Sequence, residues 1–124
     1  MTWDLMPTLL YLAGVAHPEQ YQGRQVERMR GKSLSGVLSG TTQTIYSDED
    51  FVGGEMGNGK WMRHGKYKAV SIAPPYGKGD WQLYNVVDDS GETQDLAKAQ
   101  PAVLKKLQTA WDKYARDVGV VLSK

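Results

Sequence analysis

The sequence predicts an α+β fold: a small antiparallel sheet of about four strands covered by a long C-terminal helix, with a short N-terminal helix. Three observations carry this. Short β-type runs separated by turn residues fill the stretch from Thr44 to Val86, one long apolar stripe at helical spacing runs from Pro101 to Val118, and a compact apolar segment opens the chain.

Asp4 to Ala13 reads as a helix, with Asp4 placed to cap the first amides, Pro7 tolerated in the first turn and Gly14 as the stop. Its residues Leu5, Met6, Leu9, Leu10, Leu12 and Ala13 cover most of the circumference, so the helix is expected to be buried on several sides. His17 to Lys32 is polar, contains Pro18, Gly23 and Gly31, and reads as a loop. Ser33 to Leu38 suits one helical turn, with Ser33 as cap and Gly40 closing it.

Thr44–Tyr46, Phe51–Glu55, Lys60–Arg63, Tyr67–Ile72 and Trp81–Val86 are the candidate strands. Gly57-Asn58-Gly59 and His64-Gly65 read as tight hairpin turns, residues 74–79 as a wider connection and Asp88 to Gly91 as another turn. In the last helix Leu104, Leu107, Trp111, Tyr114, Ala115 and Val118 recur at i, i+3, i+7, i+10, i+11 and i+14. That stripe needs one face of a sheet as its partner.

At 124 residues the chain suits a single domain, residues 1–124, divided into a helix with its connecting loop (1–43) and a sheet with its helix (44–124). Fifteen basic against 14 acidic residues give a net charge of +1, which gives no long-range pull on nucleic acid. The absence of cysteine excludes disulfides, thiolate metal sites and a cysteine nucleophile. The longest apolar run, residues 9–16, is too short to span a membrane and has no basic segment before it, so neither a signal peptide nor a membrane role is read. Compartment is left open, cytoplasmic as the chain stands.

No catalytic constellation emerges. Asp48-Glu49-Asp50 would point alternately to opposite faces of an extended chain, so a solvated acidic loop is the better account than a cation site. His64 has no partnered nucleophile, and His17 has less to recommend it. Gly53-Gly54 and Gly57-Asn58-Gly59 lack phosphate-loop spacing, and no Gly-x-Ser-x-Gly elbow occurs. The interleaved bases and aromatics of residues 60–68 are expected to place aromatics on one sheet face and charges on the other.

Several stretches then align with one family. Asp4-Leu5-Met6-Pro7-Thr8-Leu9-Leu10-Tyr11-Leu12-Ala13-Gly14 resembles the "D-hydrophobic-x-P-T-L-L-x-L-A-G" segment of sulfatases. Gly31-Lys32-Ser33-Leu34 with Val37-Leu38-Ser39-Gly40 is similar to "G-x-S-L-x-x-L-L-x-G", and Arg63-His64-Gly65-Lys66-Tyr67-Lys68 to "R-x-G-x-W-K" with Tyr67 in place of Trp. Trp81-Gln82-Leu83-Tyr84-Asn85-Val86, Asp89-Ser90-Gly91-Glu92 and Asp95-Leu96-Ala97 resemble "W-x-L-Y-D-L", "D-P-x-E" and "N/D-L-A", with Ser90 where Pro is usual. Together they cover nearly the whole chain and resemble the C-terminal subdomain of bacterial arylsulfatases, in the alkaline-phosphatase-like superfamily.

The resemblance implies sulfate-ester hydrolysis by a formylglycine, made from Cys or Ser in C/S-x-P-x-R, beside a calcium ion. Both belong to a large N-terminal domain. No Cys is present here and no Ser is followed by x-Pro-x-Arg, so no catalytic, metal or cofactor residue carries over. The chain alone is expected to be inactive and to have a structural and substrate-rim role. It is expected to self-associate, most simply as a dimer burying Leu5, Leu9, Leu10 and Leu12, or to pair with a sulfatase N-terminal domain as half of a split enzyme. A different reading is a stand-alone module for a small ligand or protein, with an aromatic pocket near Trp61, Tyr67, Tyr76 and Trp81.

Overall fold

A computed structural model describes residues 1–122, which form two units, Met1–Ser47 and one beginning at Asp48.

In the first unit a 3-10 turn, Thr2–Asp4, leads into helix α1, Leu5–Ala13, which ends at Gly14 in the left-handed conformation (φ 66°). Asp4 does not cap the helix, because its backbone is already helical and its side chain is turned elsewhere. Its carboxylate is fully buried and accepts from the Lys32 amide (2.9 Å), the Tyr46 hydroxyl (2.6 Å) and the N-terminal ammonium (2.6 Å). One turn further on, buried Thr8 donates its hydroxyl to the Asp4 carbonyl and accepts the Leu34 amide (2.8 Å). Side chains four apart share a helix face, so Asp4 and Thr8 hold alternate amides of one crossing segment, residues 32–34. Gly31 enters that crossing so closely that a Cβ there would lie 2.0 Å from the Trp3 carbonyl oxygen. Only glycine leaves room for this approach.

The polar stretch after α1 is not all loop. Strands β1 (Gln20–Tyr21) and β2 (Arg24–Gln25) form a small antiparallel hairpin whose turn residues Gln22 and Gly23 both have positive φ. Helix α2 is Ser35–Leu38, preceded by Ser33, whose hydroxyl accepts the Ser35 amide (3.2 Å). Thr44–Tyr46, expected as a strand, is irregular. Its polar groups are used locally, with the Tyr46 amide donating to the Thr44 hydroxyl (3.2 Å) and the Tyr46 ring reaching Asp4.

The second unit is a four-stranded antiparallel meander, β3 (Phe51–Met56), β4 (Gly59–His64), β5 (Tyr67–Ser71) and β6 (Trp81–Asn85), paired in chain order and followed by helix α3, Pro101–Val118. The β4–β5 turn is Gly65-Lys66, one residue later than expected, because His64 itself pairs with Tyr67. Directly paired residues share a face, so Met62, Ala69 and Leu83 stand in one row. They close a core with Leu107 and Trp111 of α3, flanked by Leu104, Tyr114 and Ala115. Gly53 completes that row on β3. A Cβ there would meet the Met62 methyl at 2.4 Å, so the strand's glycine is what lets Met62 lie across it. Gly53-Gly54 is therefore a packing feature.

Candidate functional site

The connection from β5 to β6 is tied down at both ends. Buried Ser71 donates to the Gly79 carbonyl (2.7 Å), and the Gly79 amide donates to the Ile72 carbonyl (2.9 Å). On the other side of β6, Asp95 accepts the amides of Leu83 (3.0 Å) and Ala97 (2.9 Å), while the Leu96 amide donates to the Leu83 carbonyl (2.7 Å). Residues 95–97 are thereby laid along the edge of β6. Between these two restrained segments lies a cleft of about 760 Å³, whose walls include Tyr76, Lys78, Asp80, Trp81, Gln82 and Lys98.

Trp81 is the fixed element of this cleft. Its ring meets Trp111 edge-on, with centroids 6.0 Å apart and planes at 65°, and the Lys60 ammonium lies 6.0 Å from its centroid. Tyr76, at 91% exposure, stands at the lip. Lys78, Asp80 and Lys98 form no hydrogen bond or ion pair among the described residues, which leaves two ammonium groups and one carboxylate to meet a ligand.

Of the four aromatics expected to form a pocket, only Tyr76 and Trp81 come together. Tyr67 packs against the core near a separate hollow, and Trp61 is on the opposite sheet face, one strand position from Met62. The aromatics of residues 60–68 therefore do not share a face as expected. Lys78, Asp80 and Lys98 were not singled out by sequence. The only signal for them is a wide Pro-Pro-Tyr-Gly-Lys-Gly connection running directly into Asp80-Trp81.

The separate hollow, about 470 Å³, is lined by Asp48, Arg63, His64, Lys66 and Tyr67 among others. His64 is the last residue of β4, stacked on Phe51 at 4.1 Å with planes 5° apart. The Lys106 nitrogen lies 2.8 Å from His64 Nε2, and since an ammonium can only donate, Nε2 accepts. His64 Nδ1 is buried without a hydrogen-bond partner, so no nucleophile or acid is joined to this ring. Among the described residues no group of three or more His, Asp and Glu side chains is gathered at one point.

The acidic residues of the β6–α3 connection build backbone. Asp89 accepts the Gln94 amide (2.9 Å), the Thr93 hydroxyl (3.0 Å) and the Thr93 amide (2.8 Å), and these bonds, led by that from Gln94, hold its carboxyl below the usual carboxylate range. Glu92 pairs with Lys68 at 2.6 Å. Burial, then the nearby carboxylates of Asp95, Glu92 and Asp89, push the Tyr84 phenol up. No described helix is long and apolar enough to cross a membrane.

No protein-family model matches the chain. A Schizosaccharomyces pombe protein described as an uncharacterised sulfatase is 38% identical to it over 120 residues, 95% of this chain and 21% of that protein. The solved structure of a 2-O GAG sulfatase is 27% identical with a TM-score of 0.68, over 92% of this chain and 24% of its own. The structure of Ps i-CgsB in complex with k-i-k-neocarrahexaose shares the fold at TM-score 0.66 and 22% identity, over 90% of this chain and 23% of its own. The chain thus spans about a fifth to a quarter of the proteins it matches. A sequence match across nearly all of these residues, joined to the same fold, places the chain in the sulfatase family as the counterpart of a C-terminal region of larger members.

Proposed function

We propose that this chain is the non-catalytic C-terminal portion of a sulfuric ester hydrolase of the arylsulfatase type, supporting the fold and forming part of the substrate rim. The observation that supports this most is the pairing of 95% coverage of this chain with 21% coverage of its sulfatase relative. The nucleophile and the calcium ion of the reaction belong to the remainder of such a protein. The expected result is no hydrolysis of a nitrophenyl sulfate by the purified chain, and hydrolysis once the chain replaces the matching segment of the S. pombe relative. Turnover by the purified chain alone would overturn the reading.

Helix α1 supports a docking role. At about 100° per residue, Leu12, Leu5, Leu9, Ala13 and Met6 fall on one arc of about 120°, and the four large side chains are 52–64% exposed. Thr8 and then Asp4 lie beyond the Leu12 edge of this arc. Leu10, from the set expected at an interface, is half-buried and lies just outside this arc. In the parent protein the arc faces the preceding domain; in the isolated chain it drives self-association, most simply to a dimer. Light scattering at micromolar concentration is expected to give a mass above that of the monomer, and Leu9→Glu to restore the monomer while changing stability by no more than about 0.5 kcal/mol. A wild-type monomer would remove the dimer.

A further inference from the structure

We infer that the outer edge of β3 is a docking site for an extended basic segment of a partner protein, which adds to the sheet as a further strand. The inference goes beyond the sulfatase reading and does not rest on it. Two-residue turns close the β3–β4 and β4–β5 hairpins, at the pairs Met56–Gly59 and His64–Tyr67. Residues flanking such a turn exchange hydrogen bonds, and bonded pairs then alternate along the ladder. In β3 the amides and carbonyls of Met56, Gly54 and Val52 therefore face β4, while those of Phe51, Gly53 and Glu55 face outward. On that side these three form no backbone hydrogen bond among the described residues. The same alternation turns Leu83 outward on β6, where the Leu96 amide (2.7 Å) and the Asp95 carboxylate (3.0 Å) satisfy it. The unit closes one edge of its sheet and leaves the other without partners.

The usual devices that keep an edge from pairing are missing from β3. It is six residues long, contains neither Lys nor Pro, and keeps unbroken register with β4, so no bulge twists it away. Gly53 in its middle is buried, and a buried amide and carbonyl without partners are costly. An added strand supplies both partners. Phe51 and Glu55 on either side are exposed. Charge selects the occupant. Asp48, Glu49 and Asp50 lead into the strand and Glu55 lies within it. An antiparallel segment matches them with a base opposite Glu55, an aromatic residue opposite Phe51 and further bases beside Asp50 and Glu49. A second copy paired through the same edge would instead bring two such acidic runs onto one seam.

The test is NMR amide exchange on the purified chain with an acetylated and amidated peptide, Lys-Val-Thr-Val-Tyr-Lys-Arg, at millimolar concentration. The amides of Phe51, Gly53 and Glu55 are expected to shift and to exchange about tenfold more slowly, while those of Val52, Gly54 and Met56, already bonded to β4, keep their rates. The same peptide with Glu in place of its three bases should bind about tenfold more weakly. Asp48→Asn/Glu49→Gln, at exposed positions, should weaken the basic peptide about fivefold. Glu55→Pro removes an outward amide, keeps every backbone bond to β4 and should abolish binding. Uniform slowing along β3, equal binding of the acidic peptide, or unchanged affinity in the Asp48/Glu49 pair each overturns the inference. A second copy on the edge would protect Gly53 before any peptide is added and leave Leu9→Glu above the monomer mass, and that result overturns it too.

Discussion

Replacing Trp111 with alanine is expected to lower the stability of the sheet-and-helix unit by about 3–5 kcal/mol, the usual range for removing a large aromatic from a packed core. Trp111 is 5% exposed and sits in the cluster with Met62, Ala69, Leu83 and Leu107. It supports Trp81 through the edge contact and carries the Lys60 ammonium 5.1 Å from its ring centroid. Its indole nitrogen reaches the Gly54 carbonyl only at 3.4 Å, so the loss comes chiefly from packing. A domain of this size holds only about 5–15 kcal/mol in total, so the change removes a large share of it. Denaturant unfolding followed by circular dichroism measures the difference, with the wild-type slope retained as evidence that the denatured state is unchanged. A loss below about 1 kcal/mol would mean that α3 is not anchored to the sheet through this residue. Trp111→Phe keeps a ring against Trp81 and should cost less.

The sheet and α3 were legible because each rests on a periodic pattern. The stripe from Leu104 to Val118 fixes a helix whatever lies around it, and the spacing of Gly57-Asn58 between β-type runs fixes a hairpin. The first unit was less legible because what holds it is not periodic. Asp4 was expected as a cap from its place before an apolar run, yet its partners, Lys32 and Tyr46, are 28 and 42 positions away. The usable signal was the pair Asp4 and Thr8, two short polar side chains one turn apart on an otherwise apolar helix, with glycine ahead of the segment they bind. The cleft was half legible. Aromatic content pointed to Tyr76 and Trp81, but the strand alternation that sends Trp61 to the opposite face follows from register, which only the pairing of His64 with Tyr67 reveals.

The same pair of helix residues carries the second large effect. Asp4→Ala removes the acceptor of the Lys32 amide and the Tyr46 hydroxyl inside a site with no solvent exposure, and should destabilise the first unit by about 3 kcal/mol. Asp4→Asn keeps one acceptor but not the charge, and should cost about half as much. Charge gives this latch a pH signature. Burial works against the ionised carboxylate, but the bonds from the N-terminal ammonium, the Tyr46 hydroxyl and the Lys32 amide outweigh it, and the carboxyl titrates below its ordinary value of 3.8. A lowered folded pKa means that the stabilisation is fully present above the unfolded value and is lost as pH falls below it. The first unit should therefore weaken from about pH 4 downward, and Asp4→Asn should lose that part of the slope. Trp3, bonded through its indole nitrogen to Tyr46 (3.0 Å), is the one tryptophan of this unit, so its indole NMR signal in a urea series reports on the first unit directly. An unchanged acid slope in Asp4→Asn would show that the carboxylate is not what joins α1 to the segment it crosses.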